Sequence, residues 1–334
     1  MKKLSLILIF LYPCVIDGFQ IEPDTVISGH KYYDVTKYLE RLISWTYGEK
    51  SAEQINCKSL LFSPDGKLLA VGISNINTGY TDQVWILDLH NFKWRLVTPI
   101  LTENILRIHV YDLQWVSDKN LKIYLEKIDK ADKSKTKYHV FQTSLDTVIK
   151  LNEKWPGTFR TPWDKPSKNY EIKYDQENFT FTLKNLKSYK TRTLNAKKYL
   201  MLNIYDAYRW TYNEKQFVFL HNYGHGEISL FVGDIEPKFK ISRVFEDSWD
   251  LYHFGVSPYS SEIAVPQNRD KSITIYNTSN KKVSDKIIAG IFPAVYDWSP
   301  TKIIAFSSNK IGVKILGEVP SRRIYLVSLD ESYK

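Results

Sequence analysis

Phe62-Ser63-Pro64-Asp65-Gly66-Lys67-Leu68-Leu69-Ala70 sets a tight turn between two apolar runs. Pro presets the backbone φ of a turn, Asp hydrogen-bonds the local backbone, and Gly accepts a positive φ. The stretch recurs in weaker form along the chain, and its copies align on the aromatic or apolar residue before the turn. These anchor residues are Phe62, Trp115, Ile172, Trp210, Val256 and Trp298. Their mean spacing of about 47 residues is typical of repeats that each fold into one four-stranded sheet.

Short strand patterns accompany each anchor. In the first unit they cover residues 59–62, 68–72, 83–89 and 94–97, and turn residues bound each of them. Evenly spaced strands with no long helical periodicity between them predict an all-β, antiparallel architecture. Six such units predict a six-bladed β-propeller. Seven blades are the alternative, because Trp45–Lys50 mimics the anchor of the fourth unit.

The third and sixth units are the weakest copies. In the third unit the turn after Ile172 has lost both Pro and Gly, and Thr161-Pro162-Trp163-Asp164 competes as its anchor. The sixth unit lacks a pattern for a fourth strand. We expect Gln20–Ser28 to supply that strand and to join the two ends of the chain, because a closed ring of sheets leaves no free edge. The strands expected in the third unit are residues 170–174, 179–183, 189–194 and 199–204.

The chain divides into three predicted segments. Residues 1–18 combine two lysines with an apolar run too short to span a bilayer, which predicts a secretory signal peptide. Residues 19–54 are expected to hold the closing strand and one short amphipathic helix, because apolar residues recur at helical spacing after Asp34, which can cap it. Residues 55–334 form the predicted propeller. An uncleaved anchor and a lipoprotein are the alternatives for the leader.

Composition is that of an ordinary globular protein with a basic balance. The 334 residues carry a formal net charge of +9, and 14% of them are aromatic, which favours strands. Excess positive charge can mean a nucleic-acid partner. Here, however, the lysines are scattered through polar turns such as residues 130–135, so no nucleic-acid partner is predicted. Cys57 is the one cysteine left after the leader, which excludes an intrachain disulfide.

At the Ser-Pro-Asp-Gly-Lys-Leu-Leu-Ala-Val run that begins at Ser63, the repeat resembles the TolB-type, WD-like propeller repeat. The same repeat occurs in the non-catalytic propeller of prolyl oligopeptidases and dipeptidyl peptidases. The resemblance covers roughly residues 55–330 and is poorest at 155–200. It implies a secreted or periplasmic propeller that works as a binding platform. It does not extend to the separate N-terminal domain of TolB, which the short N-terminal segment here cannot supply.

Four aromatic-Asp pairs suggest a ring of carboxylates. Each pair lies just before or within the strand expected to line the central channel. The carboxylates, which can collect a cation such as calcium or a basic peptide end at one channel mouth, are Asp112, Asp206, Asp250 and Asp297. The structural alternative is that each Asp bonds the backbone of the neighbouring blade. Their distances from the anchors differ, so the four side chains can face different ways.

The densest group of metal-binding side chains is a second candidate site. His221, His225 and Glu227 offer two imidazoles and a carboxylate, which zinc accepts as ligands. The segment falls in the turn between two strands of the fourth unit, and its composition is equally that of an ordinary loop. Triad catalysis of the oligopeptidase type is not expected, because the sequence contains no Gly-x-Ser-x-Gly elbow.

Together these features predict an exported, monomeric propeller without a resident cofactor, which binds a protein or peptide in the cell envelope. The alternative is a propeller enzyme of the lactonase, lyase or cyclase type, with a metal or polar site at the channel mouth. The non-enzymatic hypothesis is favoured. An enzyme should bring carboxylates, His or Arg together at one channel mouth, whereas a binding module should present a face rich in Tyr and Trp. Contact with the membrane is expected only through a retained leader.

Overall fold

The computed structural model describes most of the chain after residue 22. The described ranges are 23–47, 55–75, 81–98, 105–129, 131, 136–143, 147–153, 167–197, 208–222, 227–248, 253–268, 270–309, 311 and 323–329. In these ranges, no helix combines the length and the apolar character needed to cross a membrane.

The N-terminal segment is a hairpin followed by a helix. It comprises β1 (Thr25–Ile27), β2 (His30–Asp34) and α1 (Thr36–Tyr47). The helix begins where the sequence predicts a cap, since Oδ1 of Asp34 accepts the backbone N–H of Thr36 at 3.1 Å. Leu39 and Ile43, one helical turn apart, are fully buried. The predicted amphipathic helix is therefore present.

Sheet one is an antiparallel meander of four strands. It comprises β3 (Ile55–Phe62), β4 (Leu68–Asn75), β5 (Thr81–Asp88) and β6 (Trp94–Leu96). The turn between β3 and β4 uses the predicted chemistry, because Oδ1 of Asp65 accepts the N–H of Lys67 at 3.1 Å and Gly66 has a φ of +72°. The hydroxyl of Ser63, which follows the anchor, is buried and accepts the N–H of Leu68 at 2.9 Å.

The remaining sheets follow in the order of the chain. Sheet two comprises β7 (Ile105–Trp115), β8 (Leu121–Asp129), β9 (Thr136–Thr143) and β10 (Val148–Leu151). Sheet three comprises β11 (Tyr170–Asp175), β12 (Thr180–Asn185) and β13 (Thr191–Asn195). Sheet four comprises β14 (Arg209–Trp210), β15 (Gln216–Asn222), β16 (Glu227–Asp234) and β17 (Lys240–Ser248). Sheet five comprises β18 (Gly255–Val256), β19 (Glu262–Gln267), β20 (Ser272–Asn277) and β21 (Lys282–Ile288). Sheet six contains β22 (Ala294–Trp298), β23 (Ile303–Ser308) and β24 (Arg323–Ser328), together with β1 and β2.

A recurring backbone hydrogen bond identifies the strands of each sheet. In sheets one, four, five and six, the N–H just after the third strand of the repeat donates to the carbonyl oxygen just before the second, as Leu89 donates to Lys67 in sheet one. In sheet three, the N–H of Leu186 makes the same bond to the oxygen of Asn169, just after β12 and just before β11.

Sheet five has a second bond of this kind, from Ala289 just after its fourth strand to Lys271 just before its third, and sheet three has the equivalent bond from Ala196 to Phe179. The two bonds of sheet three together match those of sheet five, which indicates that β11 is the second strand of its unit. The alignment on Ile172, which makes β11 the first strand, is wrong.

The corrected anchor of the third unit lies upstream. The second strand begins six residues after the anchor in sheets one, two, four and five. Six residues before Tyr170 is Asp164, in the competing stretch Thr161-Pro162-Trp163-Asp164, which places this anchor 49 residues after Trp115 and 46 before Trp210. The repeat is thus more even than the alignment on Ile172 indicates. Asp164 and the strand predicted at residues 199–204 lie outside the described residues.

Successive sheets pack face to face through buried apolar side chains. Members of these shared clusters are Ile86 and Ile123 for sheets one and two, Phe181 and Phe217 for three and four, Val218 and Val256 for four and five, Ile273 and Val295 for five and six, and Ala305 and Leu69 for six and one. Between sheets two and three, the described residues form no such cluster. Sheets packed in series, with the sixth against the first, have the arrangement of a β-propeller. The all-β propeller class is therefore confirmed, and the count of six blades stays a prediction.

The two ends of the described chain meet in sheet six. β2 lies between β1 and β24, and Tyr32 of β2 is paired with Val327 of β24. The strand that completes the sixth unit is thus β2, and not Gln20–Ser28 as predicted. In the described part of that stretch, residues 23–28, the one strand is β1, at the outer edge of the sheet. The physical reason is burial, because Tyr32 is fully buried whereas Val26 of β1 is 56% exposed.

The start of α1 is fastened to the same sheet. The N–H of Val35 donates to the oxygen of Ile324 at 3.0 Å, and the N–H of Ile324 donates to Oγ1 of Thr36 at 2.6 Å. Beside them, Nε of Arg323 lies 2.6 Å from Oδ2 of Asp34 in a half-buried ion pair. The N-terminal segment is therefore held by backbone, hydroxyl and charged contacts at one point of β24.

Replacing Tyr32 with Ala should destabilise the whole propeller. The side chain is fully buried between sheets five and six, and its hydroxyl donates to the oxygen of Ile288 at 2.8 Å. Loss of a buried aromatic side chain typically costs about 3–5 kcal/mol. Urea denaturation followed by tryptophan fluorescence measures the change. Tyr189→Ala, at a position 73% exposed, is the matched control and should leave the free energy of unfolding within about 0.5 kcal/mol of wild type. Equal stability of the two variants would show that β2 does not hold the propeller together.

Candidate functional site

Asp297, one of the four predicted ring carboxylates, joins sheet six to sheet one. Its side chain is buried, and Oδ2 accepts the backbone N–H of Phe62 at 2.9 Å. This is the bond to a neighbouring blade that the structural alternative describes. A buried carboxylate that receives a backbone N–H also satisfies a donor that would otherwise lack a partner in the core.

Asp112, the second of the four, lies on the inner strand of sheet two. It is buried, its Oδ1 accepts the N–H of Leu113 at 2.8 Å, and its Oδ2 accepts the side-chain amide of Gln114 at 2.6 Å. Asp206 and Asp250 lie outside the described residues. The structure therefore places two of the four carboxylates, on different sheets, and the ring and its calcium stay predictions.

The predicted metal set is described only in part. His221 is fully buried on β15, with its ring edge-on to Phe231 at 6.0 Å. His225 lies outside the described residues, and Glu227 is placed only as the first residue of β16. Among the described side chains, no three of His, Cys, Asp and Glu converge as metal ligands would.

A cavity between sheets one and two brings polar side chains together that the sequence analysis leaves apart. Its volume is about 250 Å³, and it lies where β3, β4, β5 and β7 face one another. The residues that line it are Lys58, Ser59, Gly72, Ile73, Asp82, Gln83, Val110, Tyr111, Asp112 and Leu113. We call it the Asp82 cavity, after the buried carboxylate in its wall.

Bulges in the inner strands shape this region. The pairing register shifts at Lys58 on β3, at Tyr111 on β7 and at Tyr296 on β22. A β-bulge inserts one extra residue and redirects its side chain, and such bulges are frequent next to functional sites. Lys58 and Tyr111 both line the Asp82 cavity, and the hydroxyl of Tyr296 donates to the oxygen of Cys57 at 3.2 Å, beside the bulge of β3.

Asp82 organises the polar groups of the cavity. Its side chain is 1% exposed, and Nζ of Lys58 lies 2.7 Å from Oδ1 and 2.8 Å from Oδ2. Nδ1 of His109 lies 2.9 Å from Oδ2, and the backbone N–H of Val110 donates to the same oxygen at 2.8 Å. One carboxylate thus fixes an ammonium group and an imidazole, each about a third exposed.

The ionised form of Asp82 is favoured by these contacts. Burial by itself raises the pKa of this carboxyl group, but the contacts with His109, with Lys58 and with the N–H of Val110 outweigh it and lower the pKa below its usual range. Asp82 therefore carries its negative charge at neutral pH and acts as a fixed acceptor.

The rim of the cavity is aromatic. Tyr111 is 40% exposed, its ring meets that of His109 edge-on at 4.6 Å, and its hydroxyl donates to Oε2 of Glu126 at 2.9 Å. Burial and the neighbouring Glu126 carboxylate raise the pKa of Tyr111, so the phenol stays protonated at neutral pH. The rim thus offers an apolar ring surface next to the Lys58 ammonium.

The sequence contains two signals for this cavity. The first is the aromatic-Asp pair Tyr111-Asp112, since both residues line it. The second is that Lys58 and Tyr111 each stand four residues before the anchor of their unit, Phe62 and Trp115 respectively. A shared offset places two side chains at equivalent points of neighbouring inner strands. Asp82 carries no such signal, because it lies on the third strand and reaches the inner strands only through the packing of sheet one on sheet two.

Comparisons with known proteins assign no family to the chain. No protein-family model matches the chain, and no curated protein matches its sequence. Among solved structures, the β-propeller domain of Cps50 (Swd1) from Myceliophteria thermophila is 11% identical, with a TM-score of 0.48, over 82% of this chain and 96% of that one. TolB from Acinetobacter baumannii is 14% identical, with a TM-score of 0.41, over 88% of this chain and 69% of that one. A chain of the mitotic checkpoint complex is 12% identical, with a TM-score of 0.46, over 83% of this chain and 92% of that one.

Replacing Asp82 with Asn should lower the free energy of unfolding by about 2–3 kcal/mol at neutral pH, because the ammonium group of Lys58 loses its buried counter-charge. The folded-state pKa of Asp82 is depressed, so its contribution is present above the unfolded pKa of about 3.9 and is lost as the pH falls through the folded value. The difference between wild type and variant should therefore shrink in acid below about pH 4.

Urea denaturation across this pH range tests the expectation. Asp270→Asn is the control, because that carboxylate forms an exposed pair with Lys286 at 2.8 Å. An Asp82 variant whose loss of stability is the same at pH 7 and at pH 3 would contradict the charged role of this group.

Proposed function

We propose that the protein is an exported β-propeller that binds a protein or peptide partner in the cell envelope and uses the Asp82 cavity as its recognition site. One observation carries this proposal: two bulged residues at equivalent positions, Lys58 and Tyr111, place a cation and an aromatic ring at the mouth of one cavity. An amphipathic rim of this kind is suited to a partner side chain with a charged end.

The donors of the cavity favour a carboxylate on the partner. Lys58 has three N–H donors, and two of them suffice for its contacts with the oxygens of Asp82. The third can reach an acidic side chain or a chain terminus, in a charge-assisted hydrogen bond. Tyr111 then packs against the apolar part of the same ligand residue.

The size of the cavity suits one inserted side chain. A volume of about 250 Å³ lies below the range typical of pockets that enclose a whole small molecule, about 300–1,000 Å³. The remainder of the peptide would lie across the face of the propeller. Recognition by a single anchor residue in a pocket is a common arrangement in protein interfaces.

The chemistry of Asp82 supports binding over turnover. A general base must be able to accept a proton near the working pH. The pKa of Asp82 is held below its usual range by three donors, so this carboxylate positions its neighbours and takes up no proton at neutral pH. The cavity can therefore hold a ligand without chemical change.

The enzymatic alternative depends on the contact between His109 and Asp82. Nδ1 of His109 lies 2.9 Å from Oδ2 of Asp82, and a carboxylate beside an imidazole is part of the arrangement that general bases use. The assay measures lactone hydrolysis with and without calcium. If the protein is an enzyme of this type, wild type should hydrolyse the lactone and His109→Asn should not.

Binding is tested by selecting peptides from a random library with the mature protein and measuring affinity by fluorescence anisotropy. Selected peptides should share a carboxylate, and Lys58→Gln should weaken binding about tenfold, because a charge-assisted hydrogen bond is lost. Tyr111→Ala should weaken it by a similar factor through loss of ring contact.

The matched controls are Lys67→Gln and Tyr189→Ala, at exposed positions away from the cavity lining. Both should bind like wild type. If Lys58→Gln and Tyr111→Ala also bind like wild type, the cavity is not the recognition site. Export is tested separately by sequencing the N-terminus of the protein from its own host, where cleavage should leave Phe19 as the first residue.

A further inference from the structure

Four basic side chains lie together on sheet two, away from the lining of the Asp82 cavity. Their strands are β8, β9 and β10, which are neighbours in the sheet. We call the group the basic cluster, and its members are Lys127, Lys137, His139 and Lys150.

The pairing register puts all four on one face. Lys127 is directly opposite Lys137, and His139 stands two residues further along β9. Residues paired across strands point to the same side of a sheet, as do residues two apart on one strand. Lys150 is paired with Phe141, two residues beyond His139, so it shares that side.

This face is the one that packs on sheet one. Leu125, the partner of His139, and Phe141 belong to the apolar cluster shared by sheets one and two. The basic cluster therefore lies at the margin of the core, where the sheets separate toward solvent. Lys137 and Lys150 are exposed, whereas Lys127 and His139 are half-buried.

Among the described residues, the three lysines of the basic cluster form no ion pair. Like charges directly opposite each other destabilise a sheet. No described carboxylate forms an ion pair with Lys127, Lys137 or Lys150. Asp129, two residues along β8 and so on the same side as Lys127, is the nearest described carboxylate on that side of the strand, and its Oδ1 accepts the backbone N–H of Ala131 rather than a lysine of the cluster. Nζ of Lys127 lies over the ring of Phe141, 5.5 Å from its centre, which fixes the side chain but does not neutralise it.

His139 adds a polar atom that also lacks a partner. Its Nδ1 is buried and receives no hydrogen bond from the described residues. Burial, followed by the charges of Lys150, Lys127 and Lys137, lowers the pKa of His139 to about 4. At neutral pH the ring is therefore uncharged and supplies one N–H donor among three ammonium groups.

We propose that the basic cluster binds a phosphate-type oxyanion. Lys137 and Lys150 stand four residues apart along the sheet, about 14 Å, but Lys127 extends from its position opposite Lys137 to the ring of Phe141, which is the partner of Lys150. The side chains can therefore meet around one compact, multiply charged group. A phosphate offers several strong acceptor oxygens and a double negative charge, which meet the three ammonium groups and the imidazole N–H in one place. The anion removes the repulsion between Lys127 and Lys137, which the register otherwise enforces.

The test uses the mature protein, titrated with inorganic phosphate and, separately, with a phosphoserine peptide, and observed through the ring resonances of His139. Bound anion should raise the pKa of His139 from about 4 toward its ordinary value of about 6.5, because it offsets the charges of the three lysines. Binding of inorganic phosphate alone supports a free anion as the ligand, and binding of the peptide alone supports an anion carried by a partner.

Lys150→Gln and Lys137→Gln should each weaken the binding about tenfold, because each removes one charge-assisted contact. Both residues are exposed, so the variants should fold. The control is Lys187→Gln, an equal loss of charge on an exposed turn of sheet three, and it should bind like wild type. Absence of any saturable shift at His139 with either ligand, or equal affinities in all three variants, would overturn the proposal.

Discussion

The fold depends on the contact between the last sheet of the propeller and the first. A four-stranded sheet has two faces, and each stays dry only if a neighbouring sheet covers it. Sheet six covers sheet one through apolar side chains, and the carboxylate of Asp297 binds the N–H of Phe62 across the same junction. β2, from the N-terminal segment, pairs with β24 within sheet six. A hydrogen bond to a carboxylate typically contributes about 1.5–3 kcal/mol, so Asp297 alone adds measurably to the stability of the junction between sheets six and one.

The same packing produces the polar cavity. Where the inner strands of sheets one and two face each other, the bulges at Lys58 and Tyr111 turn two side chains toward a common space. Asp82 reaches that space from the third strand of sheet one and is stable there as an anion only because Lys58, His109 and a backbone N–H surround it. The shape of the cavity thus follows from the packing of the two sheets, whereas its charges depend on Lys58 and Asp82.

Sheet two borders two polar regions of different character. In the Asp82 cavity the ammonium group of Lys58 is paired with a carboxylate, whereas the basic cluster at β8–β10 collects lysines that form no ion pair with a described carboxylate. The charges of the Asp82 cavity are balanced within the protein, whereas those of the basic cluster favour the binding of an anionic ligand. The two regions involve different strands, so occupancy of one does not require occupancy of the other.

The repeat, the all-β class and the turn chemistry at Asp65 and Gly66 can be predicted from the sequence, because they depend on neighbours in the chain and on the period of apolar residues. Sequence analysis misplaced the third anchor, because the turn of that unit contains neither Pro nor Gly to mark it. It also misplaced the closing strand, because the sequences of β1 and β2 do not show that Tyr32 of β2 becomes buried when β2 pairs with β24. It identified neither Asp82 nor the basic cluster as a site. Those depend on which sheet covers which face and on which residues stand opposite across strands, and contacts between residues far apart in the chain are decided only when the sheets pack.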